Sequence, residues 1–145
     1  MVKIEQLIKS DLEEVKKLLL ENDLPIDDIE ESAVQFLVAK EGNTIVAIIG
    51  LEQYTTTGLL RSLAVRDSYK NKRIGRNLVE YLFEYCKNNA IRKLYLLTTT
   101  AEKYFEKFDF NKVQREITPT VIRKTKEFSD ICPATAVVMK KSLIN

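Results

Sequence analysis

Five cationic side chains are concentrated in a short stretch that also contains a glycine. They are Arg66, Lys70, Lys72, Arg73 and Arg76, and the glycine is Gly75. An apolar run at residues 59–65 precedes them and a helical apolar pattern follows, so the basic turn opens a helix. A helix N-terminus presents unpaired backbone N–H groups and the positive end of the helix dipole, and both attract phosphate. The stretch therefore predicts an anion-binding turn.

The overall charge shows that this basic turn is a local feature. The 145 residues include 23 Lys and Arg against 21 Asp and Glu, which gives a formal net charge of +2. Such a balance argues against a general nucleic-acid binder. With 45% hydrophobic and 30% charged residues, the chain fits one globular domain of ordinary size. We therefore expect a single domain over residues 1–145, with no nucleic-acid or membrane partner.

The chain has no histidine, and its two cysteines, Cys86 and Cys132, are far apart in sequence. Histidine-ligated zinc and histidine bases are thereby excluded, and we predict no metal site. Cys86 falls on an apolar helix face, whereas Cys132 is interpreted as a structural thiol or as a soft ligand. No signal-like or 18-residue apolar run is present, so we expect a cytoplasmic protein with reduced thiols.

The elements that must position the basic turn follow from hydrophobic periodicity. Apolar runs predict strands at residues 2–7, 34–40, 44–54, 59–65, 94–97, 110–115 and 134–139. The turn Glu41-Gly42-Asn43 predicts a hairpin between the second and third of them, and the strand at 59–65 continues this antiparallel meander. Helical spacing predicts helices after residue 10, from residue 74 and over 101–108, with a short acidic helical turn at 27–32. Residues 119–128 fit a helix or an ordered loop. The strand–helix–strand order between 59 and 97 implies parallel pairing, and hence an α/β (α+β) fold with a mixed sheet flanked by helices.

This order of elements resembles the GNAT superfamily of acyl-CoA-dependent N-acetyltransferases over the whole chain. In that family the turn has the pattern R/Q-x-x-G-x-G/A, whose backbone amides hold the pyrophosphate of coenzyme A. The matching residues here are Lys70, Arg73 and Gly75, so only the last glycine of the pattern is kept. The strings GLEQY, LLRSLAV, YLLTTTAEKYF and EFSDICP resemble the subgroup of arsenic-resistance N-acetyltransferases.

The resemblance implies that acetyl-CoA is the cofactor. It assigns pairing with the pantetheine arm to the backbone of Leu63, Ala64 and Val65. Pyrophosphate binding falls on the turn, at Lys70, Asn71, Lys72, Arg73, Ile74, Gly75 and Arg76. The alternative interpretation of the turn is a solvated basic loop that begins a helix. Because Gly75 is the only glycine in the turn, we expect unusual reliance on its cationic side chains.

Three polar residues interrupt or follow the apolar strands of the meander. Arg61, with Ser62, is interpreted as a bidentate clamp for a carboxylate or oxyanion of the acceptor. The alternative for Arg61 is a structural ion pair with Glu52 or Asp67, or exposure on a sheet face. Glu52 is a candidate for the base that takes the amine proton, with an exposed strand-end carboxylate as the alternative.

The general acid of the family is usually a tyrosine in the short helix after the parallel strand, within a pattern F-Y-x-x-x-G-F. Phe105 occupies that position in this chain, and Tyr104 is displaced by one residue, about 100° around a helix. Tyr104 is thus a candidate acid, with helix packing as the alternative and solvent or a threonine as other proton sources. Thr98 ends the parallel strand and is a candidate substrate contact, while local capping is an alternative, at least for Thr100.

Together these features predict acetyl-CoA-dependent N-acetylation of a small amine, including an amino-acid-like or arsenic-containing compound. Two alternatives remain open: acetylation of a protein amine, and a non-catalytic sensor of acyl-CoA. A homodimer is also left open.

Overall fold

The computed structural model describes residues 2–24, 26–29, 32–131 and 135–143. The strands in this part of the chain are β1 Val2–Gln6, β2 Gln35–Glu41, β3 Thr44–Tyr54, β4 Thr57–Val65, β5 Lys93–Thr98, β6 Asn111–Val113 and β7 Val137–Ser142. The α-helices are α1 Leu12–Glu21, α2 Ile74–Asn88, α3 Glu102–Glu106 and α4 Thr120–Arg123. Short 3-10 turns and a π-helical segment, Glu127–Ile131, connect several of them.

The strands form one mixed sheet in the order β1-β2-β3-β4-β5-β7-β6. Antiparallel pairing joins β1 to β2 and β2 to β3, and β7 pairs antiparallel with both β5 and β6. β4 pairs in parallel with β5, which confirms the pairing predicted from the strand–helix–strand order. The expected mixed sheet flanked by helices is therefore confirmed.

The turn between β2 and β3 shows why a glycine is present there. Glu41 pairs with Thr44, so Gly42 and Asn43 form a two-residue hairpin turn. Gly42 has a φ of +61°, in the left-handed region that glycine enters without steric cost. The hairpin predicted at this glycine is confirmed.

Two compact units can be distinguished by their internal contacts. The first unit contains residues 1–51 and 61–85, and the second contains residues 52–60 and 86–145. In the first, Val15, Leu18 and Leu19 of α1 pack with side chains of β2 and β3 such as Val38 and Ile48. In the second, Leu59, Tyr95, Ile122 and Val138 form a buried cluster.

Helix α2 begins at Ile74, as its periodicity predicts, and its apolar face is buried. The buried positions are Ile74, Leu78, Val79, Leu82 and Cys86. This spacing of three and four residues keeps the side chains on one face. Burial raises the pKa of the Cys86 thiol to about 12, so this cysteine is an unreactive core residue.

Other boundaries differ from the sequence predictions. Within the predicted acidic helix at 27–32, the described residues form only a turn, closed by the Ser32 N–H on the Asp28 carbonyl at 2.8 Å. The predicted final strand at 134–139 begins later, at Val137, while its first residue and Cys132 lie outside the described residues. Among the helices of the described ranges, none combines the length and apolar character needed to cross a bilayer.

Candidate functional site

β4 is irregular at the point where two polar residues interrupt it. Ser62 has a φ of +61°, which is rare for a residue with a side chain. On the neighbouring strand, a Cβ atom added to Gly50 would lie 3.1 Å from the Arg61 carbonyl oxygen and 2.9 Å from Cγ1 of Val34. Only glycine fits this close approach without displacing its neighbours. Backbone irregularities of this kind recur at functional sites.

The side chain of Arg61 forms a buried bidentate ion pair with Asp28. Nη1 lies 2.6 Å from Oδ2 and Nη2 lies 2.8 Å from Oδ1, while the two side chains are 0% and 4% exposed. Arg61 Nε also donates to Ser62 Oγ at 3.1 Å. The sequence had offered Glu52 or Asp67 as the structural partner of Arg61, and the observed partner, Asp28, is different. The side chain therefore forms the structural ion pair that the sequence left as an alternative.

The pKa of the Asp28 carboxyl reflects two opposing influences. Burial acts to raise this pKa, but the hydrogen bonds from Arg61 and Ser32 and the positive charge of Arg61 lower it below its ordinary value of 3.8. Asp28 is therefore held as a carboxylate, and the ion pair persists at any pH near neutrality.

The basic turn brings the first backbone N–H groups of α2, which have no acceptor within the helix, to its surface end. Asn77 N–H donates to the Arg73 carbonyl at 3.0 Å, which is the first bond of the helix. The N–H groups of Ile74, Gly75 and Arg76 thus precede the intrahelical bonds. The first turn of α2 has no acidic side chain to repel an anion. This geometry is that of a phosphate-binding helix N-terminus.

Two residues of the turn have left-handed backbones although neither is glycine. Asn71 has a φ of +66° and Arg73 a φ of +63°. Arg73 stands where the family pattern has its first glycine, and its conformation explains that preference, because glycine enters this region without the cost of a side chain. Arg73 thus has the left-handed backbone that favours glycine, and it adds a cation at this position.

The cations of the turn divide into one anchor and several exposed groups. Arg66 donates to the Ile45 carbonyl from Nε and Nη2 at 3.3 and 3.1 Å, and Nη2 also contacts Glu14 at 3.4 Å. The Lys70–Asp67 and Arg76–Glu80 pairs, both 2.9 Å, are largely exposed and local in sequence. Exposed pairs of this kind contribute little to stability. Their cations can therefore turn to an anionic ligand at little cost.

A tyrosine holds the same turn from its other side. The Tyr69 hydroxyl donates to Glu41 Oε1 at 2.6 Å, and this carboxylate raises the pKa of Tyr69. Lys72 Nζ lies 5.3 Å from the centroid of the Tyr69 ring, within cation–π range. Together with Arg66, Tyr69 fixes the turn to the β2–β3 hairpin.

The strand segment that precedes the turn contains the three residues predicted to hold the pantetheine arm. Ala64 is buried in the core of the first unit, while Leu63 and Val65 are half-buried. The described register of β4 with β5 ends at the Leu59–Tyr95 pair, whereas β4 itself continues to Val65.

Glu52, in the second unit, is buried rather than exposed. Its carboxylate is 1% exposed as a residue and accepts a hydrogen bond from the Tyr54 hydroxyl. Residues two apart on a strand share a face, so β3 itself brings these groups together. The alternative of an exposed strand-end glutamate is therefore wrong. Sequence reasoning missed Tyr54, although its spacing from Glu52 was the available signal.

The two remaining predicted residues of the second unit have local contacts. Thr98 Oγ1 accepts from the N–H groups of Ala101 at 2.9 Å and Thr100 at 3.3 Å, so Thr98 is the threonine that caps this turn. The Tyr104 ring packs edge-on against Phe105 and Phe108, with centroids 5.2 and 5.3 Å apart. The packing that was the alternative interpretation of Tyr104 is thus observed, and its role as an acid stays a prediction.

A strand that leads through a basic turn into a helix N-terminus, within a mixed sheet flanked by helices, defines an α/β protein. The family comparison gives the same assignment more specifically. The sequence model of the acetyltransferase (GNAT) family matches residues 2–110, and the chain belongs to this family.

The individual proteins that match this chain have low sequence identity to it. An uncharacterised N-acetyltransferase of Chlorobaculum tepidum is 26% identical over 98 residues, which cover 67% of this chain and 63% of that protein's own length. A GNAT-family acetyltransferase of Staphylococcus aureus superposes with a TM-score of 0.80 at 23% identity, over 99% of this chain and 100% of the other. N-acetylglutamate synthase of Neisseria gonorrhoeae, solved with coenzyme A and N-acetylglutamate, gives a TM-score of 0.84 at 17% identity, over 100% of this chain and 36% of that one.

Proposed function

We propose that the chain is a single N-acetyltransferase domain that transfers the acetyl group of acetyl-CoA to the amine of a small molecule. The observation that supports this most directly is the turn before α2. It combines the open N–H groups of residues 74–76 with exposed cations and has no acidic residue in the first helical turn. Membership of the GNAT family adds the acyl chemistry to this anion-binding geometry.

The residues of the turn fit the pyrophosphate of coenzyme A. A diphosphate offers several anionic oxygens, which the N–H groups of Gly75 and its neighbours can bind as hydrogen-bond donors. Lys70, Lys72, Arg73 and Arg76 would add charge around it, and Asn71 would help to set the backbone shape. Solved members of the fold, including the Neisseria enzyme, contain coenzyme A, which supports this assignment.

The strand before the turn would hold the rest of the cofactor. Backbone groups of Leu63, Ala64 and Val65 would pair with the amides of the pantetheine arm, as an added strand does. The described pairing of β4 with β5 stops at Leu59, four residues before this segment, which supports a role outside the β4–β5 ladder.

The chemistry places modest demands on the protein. Acetyl-CoA supplies a thioester, which is an acyl group already activated for transfer. The amine nitrogen forms a bond to the carbonyl carbon as the carbon–sulfur bond breaks, one proton leaves the nitrogen and one proton is needed by the departing sulfur. Orientation and charge stabilisation therefore dominate, and acid–base residues assist.

Glu52 is our candidate for the group that takes the amine proton, directly or through water. Its burial and its hydrogen bond from Tyr54 fix the carboxylate in one position, as a base requires. Tyr104 is the candidate donor of a proton to sulfur. Ser62 and Thr98 are candidate substrate contacts through their hydroxyl groups. Arg61 lies next to Ser62 and is also assigned to the substrate side, where it is held by its ion pair with Asp28.

For the acceptor we propose an amino-acid-like amine. The Neisseria relative, which was solved with N-acetylglutamate, supports this class. The resemblance of four sequence strings to arsenic-resistance N-acetyltransferases extends the proposal to arsenic-containing and phosphinic analogues of glutamate.

Release of free coenzyme A with a panel of amines tests the proposal. The panel contains proteinogenic amino acids, phosphinic and arsenic-containing glutamate analogues, and peptides with free N-termini. Turnover with a small amine supports the proposal. Turnover restricted to peptides would favour a protein acetyltransferase, whereas calorimetric binding of acetyl-CoA without turnover on any amine would favour a sensor.

The cofactor assignment has its own test in Gly75→Val. A β-branched side chain at the second residue of α2 obstructs the approach of a diphosphate to the backbone, so the dissociation constant for coenzyme A should rise about tenfold or more. Circular dichroism and thermal unfolding check that the fold is kept. An unchanged calorimetric affinity in a folded variant would contradict the pyrophosphate assignment.

The role of Glu52 is tested by Glu52→Gln. If Glu52 accepts the proton, the variant should lose about 10²–10⁴-fold in kcat, and the acidic limb of the pH–rate profile should disappear. Tyr54→Phe is the matched control, since it removes the hydrogen bond and leaves the carboxylate. A Glu52→Gln enzyme with the pH–rate profile of the wild type would eliminate this residue as the base.

A further inference from the structure

The Arg61–Asp28 ion pair joins β4 to the segment between α1 and β2. On the Asp28 side, the main-chain carbonyl accepts the Ser32 N–H at 2.8 Å and Oδ2 accepts the Ser32 hydroxyl at 2.7 Å. The next residue, Ile29, is inserted into the core of the first unit. We call residues 26–29 together with Ser32 the Asp28 turn. Its carboxylate is thus held by its own turn and by β4 at the same time.

On the β4 side, three features coincide at one position. Arg61 makes its bidentate contact with Asp28, Ser62 adopts a left-handed φ, and a Cβ atom on Gly50 of β3 would lie only 3.1 Å from the Arg61 carbonyl oxygen, closer than most Cβ contacts. Ser62 Oγ accepts from Arg61 Nε, so the guanidinium contacts both the irregular residue and the Asp28 turn. The irregular backbone of β4 and the Asp28 turn are therefore fixed by one side chain.

The direction in which the proposed cofactor runs along β4 places its thioester end near Arg61. In the proposed function the diphosphate lies at residues 70–76 and the pantetheine arm runs along Leu63–Val65. The thioester end of that arm then lies toward lower residue numbers, at Ser62 and Arg61. Whatever packs against β4 at Arg61 borders the acyl group, and the Asp28 turn packs there.

We propose that Arg61 and Asp28 are a positioning pair, which fixes the Asp28 turn against β4 at the acyl end of the cofactor and thereby shapes the docking place of the acceptor amine. This inference rests on the proposed function and deepens it. Because each charge is paired with the other and both side chains are buried, Arg61 acts through the turn and does not clamp a substrate carboxylate.

Asp28→Asn separates the positioning pair from a direct clamp. If the pair positions the turn, acceptor KM should rise about tenfold or more while the KM for acetyl-CoA stays within about twofold. If Arg61 were a clamp, removing the charge of Asp28 would release the guanidinium for the substrate and would lower the acceptor KM or leave it unchanged. Either of the latter results in a folded variant overturns the inference.

Two further variants complete this test. Arg61→Lys keeps the charge but loses the bidentate geometry. Its acceptor KM should therefore lie between that of the wild type and that of Asp28→Asn. Glu5→Gln is the matched control, since it breaks the Lys40–Glu5 contact of 3.2 Å, an ion pair outside the proposed site, and should leave both KM values unchanged. The acceptor is the best amine of the panel, compared with its carboxyl-amidated form. Equal effects of Asp28→Asn on both forms support positioning, and an effect confined to the carboxylate form overturns it.

Amide hydrogen exchange on the free protein tests the coupling without any substrate. Asp28→Asn should accelerate exchange at residues 26–29 and at residues 61–65 together, while the middle of α2 stays protected. Acceleration confined to residues 26–29 would show that the pair does not fix β4, and would overturn the inference. A wild-type chain that fails to bind coenzyme A would refute the proposed function separately, because the exchange result does not depend on the cofactor.

Discussion

Arg61 and the exposed cations of the basic turn are close in sequence, yet their environments are opposite. Arg61 is fully buried against Asp28, a residue from a distant segment. Lys70 and Arg76 are about half exposed and pair with residues three and four positions away. A buried charge that is neutralised by a fixed partner is committed to the fold, whereas an exposed charge with a weak local partner is available to a ligand. The charge of a residue therefore does not show whether it positions other groups or binds a ligand. The burial and the position of its ion-pair partner are the better guide.

The largest expected effect comes from breaking the buried pair on one side. Arg61→Met leaves the Asp28 carboxylate buried without its cation, which should lower the free energy of unfolding by about 3–5 kcal/mol. Urea unfolding measures this change. The double variant Arg61→Met with Asp28→Leu removes both charges and should recover most of the loss. If Arg61→Met were as stable as the wild type, the buried pair would contribute no more to stability than the exposed pairs of the turn.

Neutralising the exposed cations should affect binding and leave stability unchanged. The double variant Lys72→Gln with Arg73→Gln should weaken coenzyme A binding by about tenfold, or about 1.4 kcal/mol. Its affinity should also depend less steeply on salt, because fewer ionic contacts remain to be screened. Calorimetry at two salt concentrations measures both effects. The urea midpoint serves as the control, and a large shift in it would mean that these cations also belong to the fold.

A graded effect is expected at acid pH. The pKa of Asp28 is lower in the folded protein than its ordinary value of 3.8, so the unfolded chain binds this proton first as the pH falls. The contribution of Asp28 to stability is therefore complete above its ordinary pKa and is lost as the pH falls through the folded value. Urea unfolding from pH 6 to about pH 2.5 should show a steeper loss of stability for the wild type than for Asp28→Asn. Parallel curves would contradict a role for this carboxylate in acid unfolding.

Local patterns were sufficient for the elements whose signal is carried by neighbouring residues. β3 occupies the predicted residues 44–54, α2 starts at the predicted residue, and the β2–β3 hairpin turns at Gly42. Each depends on periodicity or on a glycine within a few positions. The position of the basic turn directly before α2 was also visible, because its cations and its helix are contiguous in the sequence. Its binding of an anion stays a prediction.

The contacts of the individual side chains depend on distant segments and were not predictable. Asp28 and Arg61 are 33 positions apart, and no local pattern specifies that pairing. The burial of Glu52 depends on how the sheet is covered, and not on the sequence of its strand. A short helical turn was predicted at residues 27–32, whereas the described residues of this segment form a turn in which Asp28 contacts Ser32 and the distant Arg61.

The left-handed residues of the turn illustrate the same limit. Asn71 tolerates a positive φ better than most residues, but nothing in the sequence signals that Arg73 would adopt one. The family pattern, with a glycine at this position, was the only available hint.

The buried thiol of Cys86 can report how often α2 opens. A thiol with a pKa of about 12 reacts with alkylating reagents only when the helix opens and the sulfur reaches water. In a Cys132→Ser background, the labelling rate of Cys86 would count these openings directly. Because a ligand at the first turn of α2 stabilises the closed state, coenzyme A should slow the labelling in proportion to its occupancy. The labelling rate of Cys86 should therefore report coenzyme A binding without a substrate or a turnover assay.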